Sequence, residues 1–188
     1  GKNPQKMMKY ILSSSKQISQ IYNDIHFSAF NNMNEDVFEE FNLKDLVSES
    51  AEYFNDISIT KNIVIKSILD DCFIKMDKTK TQKLVNNLIS NAIKYSYKDS
   101  VVEVILNNNN ILSVKDFGIG ISLEDQKEIF KRYKRGNNNE GGFGIGLDIV
   151  KGICEEYNLI LTLKSQMNKE TVFSIDFSSI LNKEYLQK

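Results

Sequence analysis

Small and apolar residues near the start of the chain recur in alternating steps of four and three, at Ile11, Ser15, Ile18, Tyr22, Ile25 and Ala29. That spacing predicts one long helix from about Gln5 to Phe30 with a narrow apolar seam. Such a seam suits a helical bundle or a dimer; it also suits a helix packed on its own domain. Asn31-Asn32-Met33-Asn34 breaks the pattern, and the acidic stretch to Glu40 reads as a linker. A second unit is expected to begin at Phe41.

Within that unit, Leu46, Val47 and Ala51 form the inner face of a helix over 43–54. Ile63, Ile65 and Ile68 predict a strand, and Cys72-Phe73-Ile74 a short second one. Asp77 is placed to cap the next helix, which runs to about Tyr95 with Leu84, Leu88 and Ala92 inward. Val101–Leu106 and Ile111–Lys115 read as paired strands across the Asn107–Asn110 turn. A short helix over 123–133, a helix over 145–157 and a hairpin of 159–164 with 171–177 complete the chain. Helices mixed with antiparallel pairs predict an α/β two-layer sandwich: a mixed, mostly antiparallel sheet with helices on one face, preceded by the long helix. The expected division is 1–40 helix and linker, 41–180 main domain, 181–188 tail.

Composition narrows the function. The 188 residues carry 24 basic and 25 acidic side chains, for a net charge of −1. That balance argues against a broad nucleic-acid or anionic-membrane surface. No apolar run approaches the roughly 20 residues needed to span a bilayer. Cys72 and Cys154 fit no metal or redox spacing and read as reduced thiols in a cytoplasmic setting. With a single proline, Pro4, the turns must rely on Asn, Asp and Gly. Arg132 and Arg135 are the only arginines, three residues apart, which reads either as chance or as an anion-contacting loop.

Three stretches carry candidate chemistry. Asn87 and Asn91 stand four residues apart on one helical face, with Lys94 a turn on. Two amide oxygens beside an ammonium suit a divalent cation and a polyphosphate, although solvated Asn and Lys on a helix are also common. Asp116-Phe-Gly118-Ile-Gly120-Ile121 follows a strand; its glycines allow close backbone approach, and its carboxylate can accept from an exocyclic amine. A plain Asp-Gly turn is the simpler reading there. Gly142-Phe-Gly144-Ile-Gly146-Leu147 opens a helix, where free amides and the dipole favour an anion.

In this order and at these separations, the elements resemble the ATP-binding catalytic domain of sensor histidine kinases, a branch of the GHKL or Bergerat-fold ATPase superfamily. Asn87–Ser96 matches the N box, Asp116–Ile121 the first glycine box, Phe130–Arg135 the F box and Gly142–Leu147 the second glycine box; the likeness covers about 41–177. The resemblance implies ATP and Mg²⁺ as cofactors. Asn91 would hold the metal with help from Asn87. Lys94 would meet the phosphates, Tyr95 would lie along sugar and base, and Asp116 would accept from the adenine amino group beside Gly118, Gly120 and Ile121. Gly142, Gly144, Gly146 and Leu147 would line the phosphate side, beneath a lid over 135–141. Arg132 or Arg135 would steady the phosphates or pair with an acid. Two departures stand out: Phe117 replaces a small polar residue, and the closing hairpin lacks the usual glycines around Thr171-Val172-Phe173.

The first helix resembles the second helix of the family's dimerisation unit, which implies a homodimer through that helix, an acceptor helix outside this chain, and a response-regulator receiver domain as partner. His26 is followed by Phe-Ser-Ala rather than the expected acid, so it is not read as the phosphoacceptor. The implied setting is a cytoplasmic segment, without membrane or nucleic-acid contact, of a protein anchored in the cytoplasmic membrane. The reaction implied is transfer of the ATP γ-phosphoryl group to a histidine. The alternatives are a non-catalytic ATP-binding or dimerising module and a GHKL ATP hydrolase. The hydrolases carry Glu where this chain has Asn87, and an amide cannot take a proton from water.

Overall fold

The computed structural model describes residues 4–30, 36–129 and 145–181. Helix α1 spans Pro4–Phe30 and is followed by β1 (Phe38–Asn42), α2 (Leu43–Ile59), β2 (Val64–Leu69) and β3 (Phe73–Asp77). Then come α3 (Lys78–Tyr95), β4 (Val101–Leu106), β5 (Ile111–Asp116), the short α4 (Leu123–Gln126), α5 (Gly146–Glu156), β6 (Ile160–Gln166) and β7 (Glu170–Asp176). Five strands form one sheet in the order β2-β4-β5-β7-β6, parallel between β2 and β4 and antiparallel elsewhere. The two-layer mixed sandwich expected from the pattern is therefore present.

Strict alternation directs Val102, Val104 and Leu106 of β4 inward beside Leu112 and Val114 of β5 and Phe173 and Ile175 of β7. Against that face lie Leu46, Val47 and Phe54 of α2, Leu84 and Leu88 of α3, and Ile149 and Ile153 of α5. Both long helices of this layer begin on side-chain caps. Asn42 accepts from Lys44 N at 3.2 Å and Asp77 from Lys80 N at 2.9 Å, meeting amides that the helix leaves free. Among the described residues, five turn positions take positive φ without glycine, at Asn62, Asp99, Asn110, Asn158 and Asn168. These are the residue types that tolerate that backbone at least cost.

Three expectations change. Residues 38–42 are not linker but β1, paired antiparallel with β3 in a separate two-stranded sheet, so a boundary at 40/41 falls inside a strand. The helix expected to stop at Phe54 continues to Ile59 and buries Ile57 and Ser58. Of the helix expected over 123–133, α4 covers 123–126 among the described residues. The chain entering β1 is fixed by charge: Asp36 pairs with the buried Lys80 and accepts from the Tyr157 hydroxyl, while Lys80 also pairs with Glu156 at 2.6 Å.

The α1 seam faces outward. Ile11, Ile18 and Tyr22 are each about two-thirds exposed (66 %, 67 % and 66 %), so it is not this seam that packs on the domain. The docked side of α1 is mixed: Lys16 bonds Asp56 and the Tyr53 carbonyl of α2, Asp24 pairs with Lys83 of α3, and Phe27 packs partly buried against the core. Among the described residues, no helix is long and apolar enough to cross a membrane.

Candidate functional site

Helix α3 organises the site because its four-residue spacing presents Asn87 and Asn91 toward the start of α5. Asn87 is 3 % exposed, and its Nδ2 donates to the Lys83 carbonyl at 2.9 Å. A Cβ added to Gly146 would stand 2.5 Å from Asn87 Oδ1 and 3.8 Å from Asn91 Nδ2. The Asn87 oxygen therefore crowds the first residue of α5, while Asn91 stands at ordinary contact distance. Ile145, at the start of α5, offers the helix no side-chain cap. Leu147 packs partly buried against the core just behind.

One turn further, the end of α3 docks on the loop after β5. Ile119 N donates to Tyr95 O and Tyr97 N to Phe117 O, both at 3.2 Å, and Ser96 bridges to Gly118. The contact is so close that a Cβ on Gly118 would lie 1.9 Å from Tyr95 O. Gly120 has φ +68°, and its Cβ would meet the Gln166 carbonyl at 2.3 Å. The β6–β7 turn thus closes over the loop, with Asn168 N donating to Ile119 O at 2.8 Å and the Ser165 hydroxyl accepting from Ile121 N at 2.9 Å. Asn168 adopts φ 57°, which answers how a hairpin without glycines makes its turn.

Asp116 occupies the inward position that continues Leu112 and Val114, where alternation calls for an apolar residue. It is 5 % exposed, and burial pushes its carboxyl up to about 7. Among the described residues two buried side-chain polar atoms lack a hydrogen-bond partner, Asp116 Oδ1 and Ser96 Oγ. Both lie beside Gly118 in the paired backbone. A buried acceptor left without a donor costs on the order of 1–3 kcal/mol, so the arrangement suits a ligand that brings one.

Thr171 is not among the residues that the sequence motifs single out. Register sets it directly opposite Asp116 across β5 and β7, buried, with its hydroxyl 2.9 Å from that of Ser165. Its signal was the alternation Thr171, Phe173, Ile175, which puts a hydroxyl on the core face. Phe117 turns the other way: Lys115 sits over its ring at 4.7 Å and pairs with Glu170. Lys94 Nζ donates to the Tyr95 hydroxyl at 3.0 Å and lies over that ring.

Asn87, Asn91, Tyr95, Asp116, Gly118, Gly120, Ile121, Gly146 and Leu147 thus lie along one side of α3 and the loop and helix packed on it. Arg132, Arg135, Gly142, Gly144 and the 135–141 segment lie outside the described residues. No group of three His, Cys, Asp or Glu side chains able to hold a metal occurs among the described residues. Cys72 and Cys154 are buried, with burial pushing their thiols up to about 11 and about 12, outside thiolate chemistry.

The profile described as "Histidine kinase-, DNA gyrase B-, and HSP90-like ATPase" matches residues 76–179. The sensor histidine kinase RppB of Synechocystis sp. is 34 % identical over 142 residues, covering 71 % of this chain and 31 % of its own length. The chain spans about a third of the length of the curated relatives it matches. Solved structures share its fold. The mycobacterial sensor histidine kinase MprB has TM-score 0.67 at 22 % identity, covering 74 % of this chain and 95 % of that one. Full-length ShkA in complex with AMPPNP has TM-score 0.72 at 19 % identity, covering 86 % and 36 %.

Proposed function

The chain belongs to the histidine kinase-, DNA gyrase B- and HSP90-like ATPase family, and from that footing we propose that it is the ATP-binding catalytic portion of a two-component sensor histidine kinase, passing the ATP γ-phosphoryl group to a histidine outside this segment. One observation carries the reading: a buried carboxylate oxygen without a donor, beside backbone so close-packed that it admits no side chain. The adenine amino group supplies the missing donor, whereas guanine turns a carbonyl oxygen to that place and would set two acceptors against each other. Thr171, opposite Asp116, offers a hydroxyl to the same region.

The residues at the other end fit a metal-bound polyphosphate. Asn91 and Asn87 would hold Mg²⁺ through neutral amide oxygens. Magnesium, when bound, neutralises charge on the phosphates. Lys94 exchanges its bond to Tyr95 for a phosphate oxygen as a mobile point charge, and Tyr95 then lies free along sugar and base. The first turn of α5, with Gly146 and Leu147, would face the anion. Arg132, Arg135, Gly142 and Gly144 complete the proposed set. Catalysis on this reading is positioning and charge neutralisation, with the nucleophile brought by the acceptor. Asn87 has no basicity with which to activate water, which favours phosphoryl transfer to a side chain over hydrolysis.

The outward seam of α1 is the surface through which a homodimer would form, and a receiver domain of a response regulator would take the phosphoryl group onward. The segment would work on the cytoplasmic side of a membrane-anchored whole. Calorimetric titration tests the site. Mg-ATP should bind and Mg-GTP should not, and Asn91→Ala should lose roughly thirtyfold in Mg-ATP affinity, about 2 kcal/mol. Equal affinity for both nucleotides would remove Asp116 from the base. Incubation with γ-labelled ATP should leave this chain unlabelled. Label on His26 would overturn the assignment of the acceptor to another segment.

A further inference from the structure

The carbonyls that end α3 exchange their helical partners for others. In an unbroken helix the Ile93 carbonyl would take the amide four residues on, Tyr97 N, and the Tyr95 carbonyl would take Asp99 N. Both amides go elsewhere, Tyr97 N to Phe117 O and Asp99 N to Lys61 O, each at 3.2 Å, while Tyr95 O is met by Ile119 N. The Ile93 and Lys94 carbonyls are met by one ammonium from another element. Lys61, in the turn between α2 and β2, donates to them from Nζ at 3.3 and 2.5 Å. Lys94, the basic residue of the last turn itself, gives its own ammonium to the Tyr95 hydroxyl instead. The backbone of Lys61 is held in turn, its N donating to Ser58 O at 3.0 Å, and the neighbouring Asn62 Nδ2 donates to Asp99 Oδ1 at 3.0 Å. A cation at this end also meets the negative pole of the helix dipole.

We propose that Lys61 is a positioning residue for nucleotide: it satisfies the carbonyls at the end of α3, and so leaves Tyr97 N free to dock that end on the loop after β5. The proposal rests on reading Lys94, Tyr95 and Asp116 as contacts to ATP. The docking decides where the three stand relative to one another, because Lys94 and Tyr95 close α3 and Asp116 is the last residue before the loop. Without Lys61 two part-buried carbonyls lose their donor. The nearest replacement for Ile93 O in the helical pattern is Tyr97 N, whose return breaks the bond to Phe117 O. The last turn then leaves its seat, taking Lys94 and Tyr95 with it. Lys61 acts through the backbone it holds and not by touching the nucleotide.

The test is calorimetric titration of the 188-residue chain with Mg-ATP, together with hydrogen exchange at the Ile119 amide followed by NMR. Lys61→Met keeps the aliphatic stem and removes the donors. It should weaken Mg-ATP binding about tenfold and speed Ile119 exchange by about the same factor. Lys61→Arg, whose guanidinium still donates to carbonyls, should stay within about threefold of the parent in both readouts. Asp77→Ala removes the cap at the opposite end of α3 and weakens the same helix, yet should leave affinity within about twofold. Far-ultraviolet spectra verify folding. Lys61→Gln, one bond shorter and uncharged, replaces the methionine variant under the same expectation if that one does not fold. Unchanged affinity in Lys61→Met, or lost affinity with Ile119 exchange unchanged, overturns the proposal. So does Lys61→Arg binding as weakly as Lys61→Met, or an equal loss in Asp77→Ala. If Lys94→Ala and Asp116→Asn both bind Mg-ATP like the parent, the nucleotide reading fails and the proposal falls with it. If those two weaken binding and Lys61→Met does not, the proposal alone fails.

Discussion

At pH 8 the Asp116→Asn variant should unfold at higher urea concentration than the parent chain, yet bind Mg-ATP about a hundredfold more weakly. Burial raises the folded-state pKa of Asp116 to about 7 from 3.8. Between those values the unfolded chain has released a proton that the folded chain keeps, so stability falls as pH rises from about 4 to about 7 and is level above. Three pK units correspond to roughly 4 kcal/mol of destabilisation at pH 8, absent below pH 4. Asparagine never ionises, so its advantage should appear only above pH 4 and grow to pH 7. A bound adenine amine reverses the preference, because it favours the ionised acceptor. The parent should therefore release close to one proton on binding near pH 6, read from calorimetry in buffers of different ionisation enthalpy. The variant supplies the nucleotide's own proton balance as baseline. Equal stability of the two at pH 8, with equal affinity, would set Asp116 away from the base. The trade of stability for a poised acceptor is what a binding site costs its fold.

That conflict was visible in the sequence, because Leu112, Val114, Asp116 is an inward strand row that ends on a carboxylate. The pairing of Asn87 with Asn91 was equally legible, since a four-residue step fixes their common face whatever surrounds the helix. What periodicity could not show is whatever depends on a second element. Phe38–Asn42 shows no apolar alternation and holds two glutamates, and it is a strand because β3 lies alongside. Helix α1 was read by its apolar seam, yet it docks in part by Lys16 and Asp24, whose partners Asp56 and Lys83 are 40 and more positions away along the chain. Thr171 joins the site through the register of β5 with β7 alone. Local chemistry announces itself in a sequence; partnership across elements does not.

Gly118→Ala should be the most damaging single methyl group that can be added among the described glycines of the site. The atoms it would strike are backbone, Tyr95 O at 1.9 Å, Tyr95 C at 2.6 Å and Ser96 Cα at 2.9 Å. None can rotate aside. Ser96 N is bonded to Ala92 O at 3.0 Å and Tyr95 O accepts from Ile119 N, so relief requires the last turn of α3 to leave the loop after β5. A backbone shift of that kind costs about 3 kcal/mol, or a fall in Tm of about 10 °C for a chain of this size. It also separates Tyr95 from Asp116, so Mg-ATP affinity should fall beyond measurement. Gly152 is the matched control. It is exposed in α5 with nothing within 4 Å of an added Cβ, and alanine there should stabilise by about 0.5–1 kcal/mol through helix propensity. Opposite signs at the two glycines in thermal melts are the expected result. If Gly118→Ala melts with the parent and still binds nucleotide, then the tight seat of α3 on this loop is not what holds the acceptor for the base.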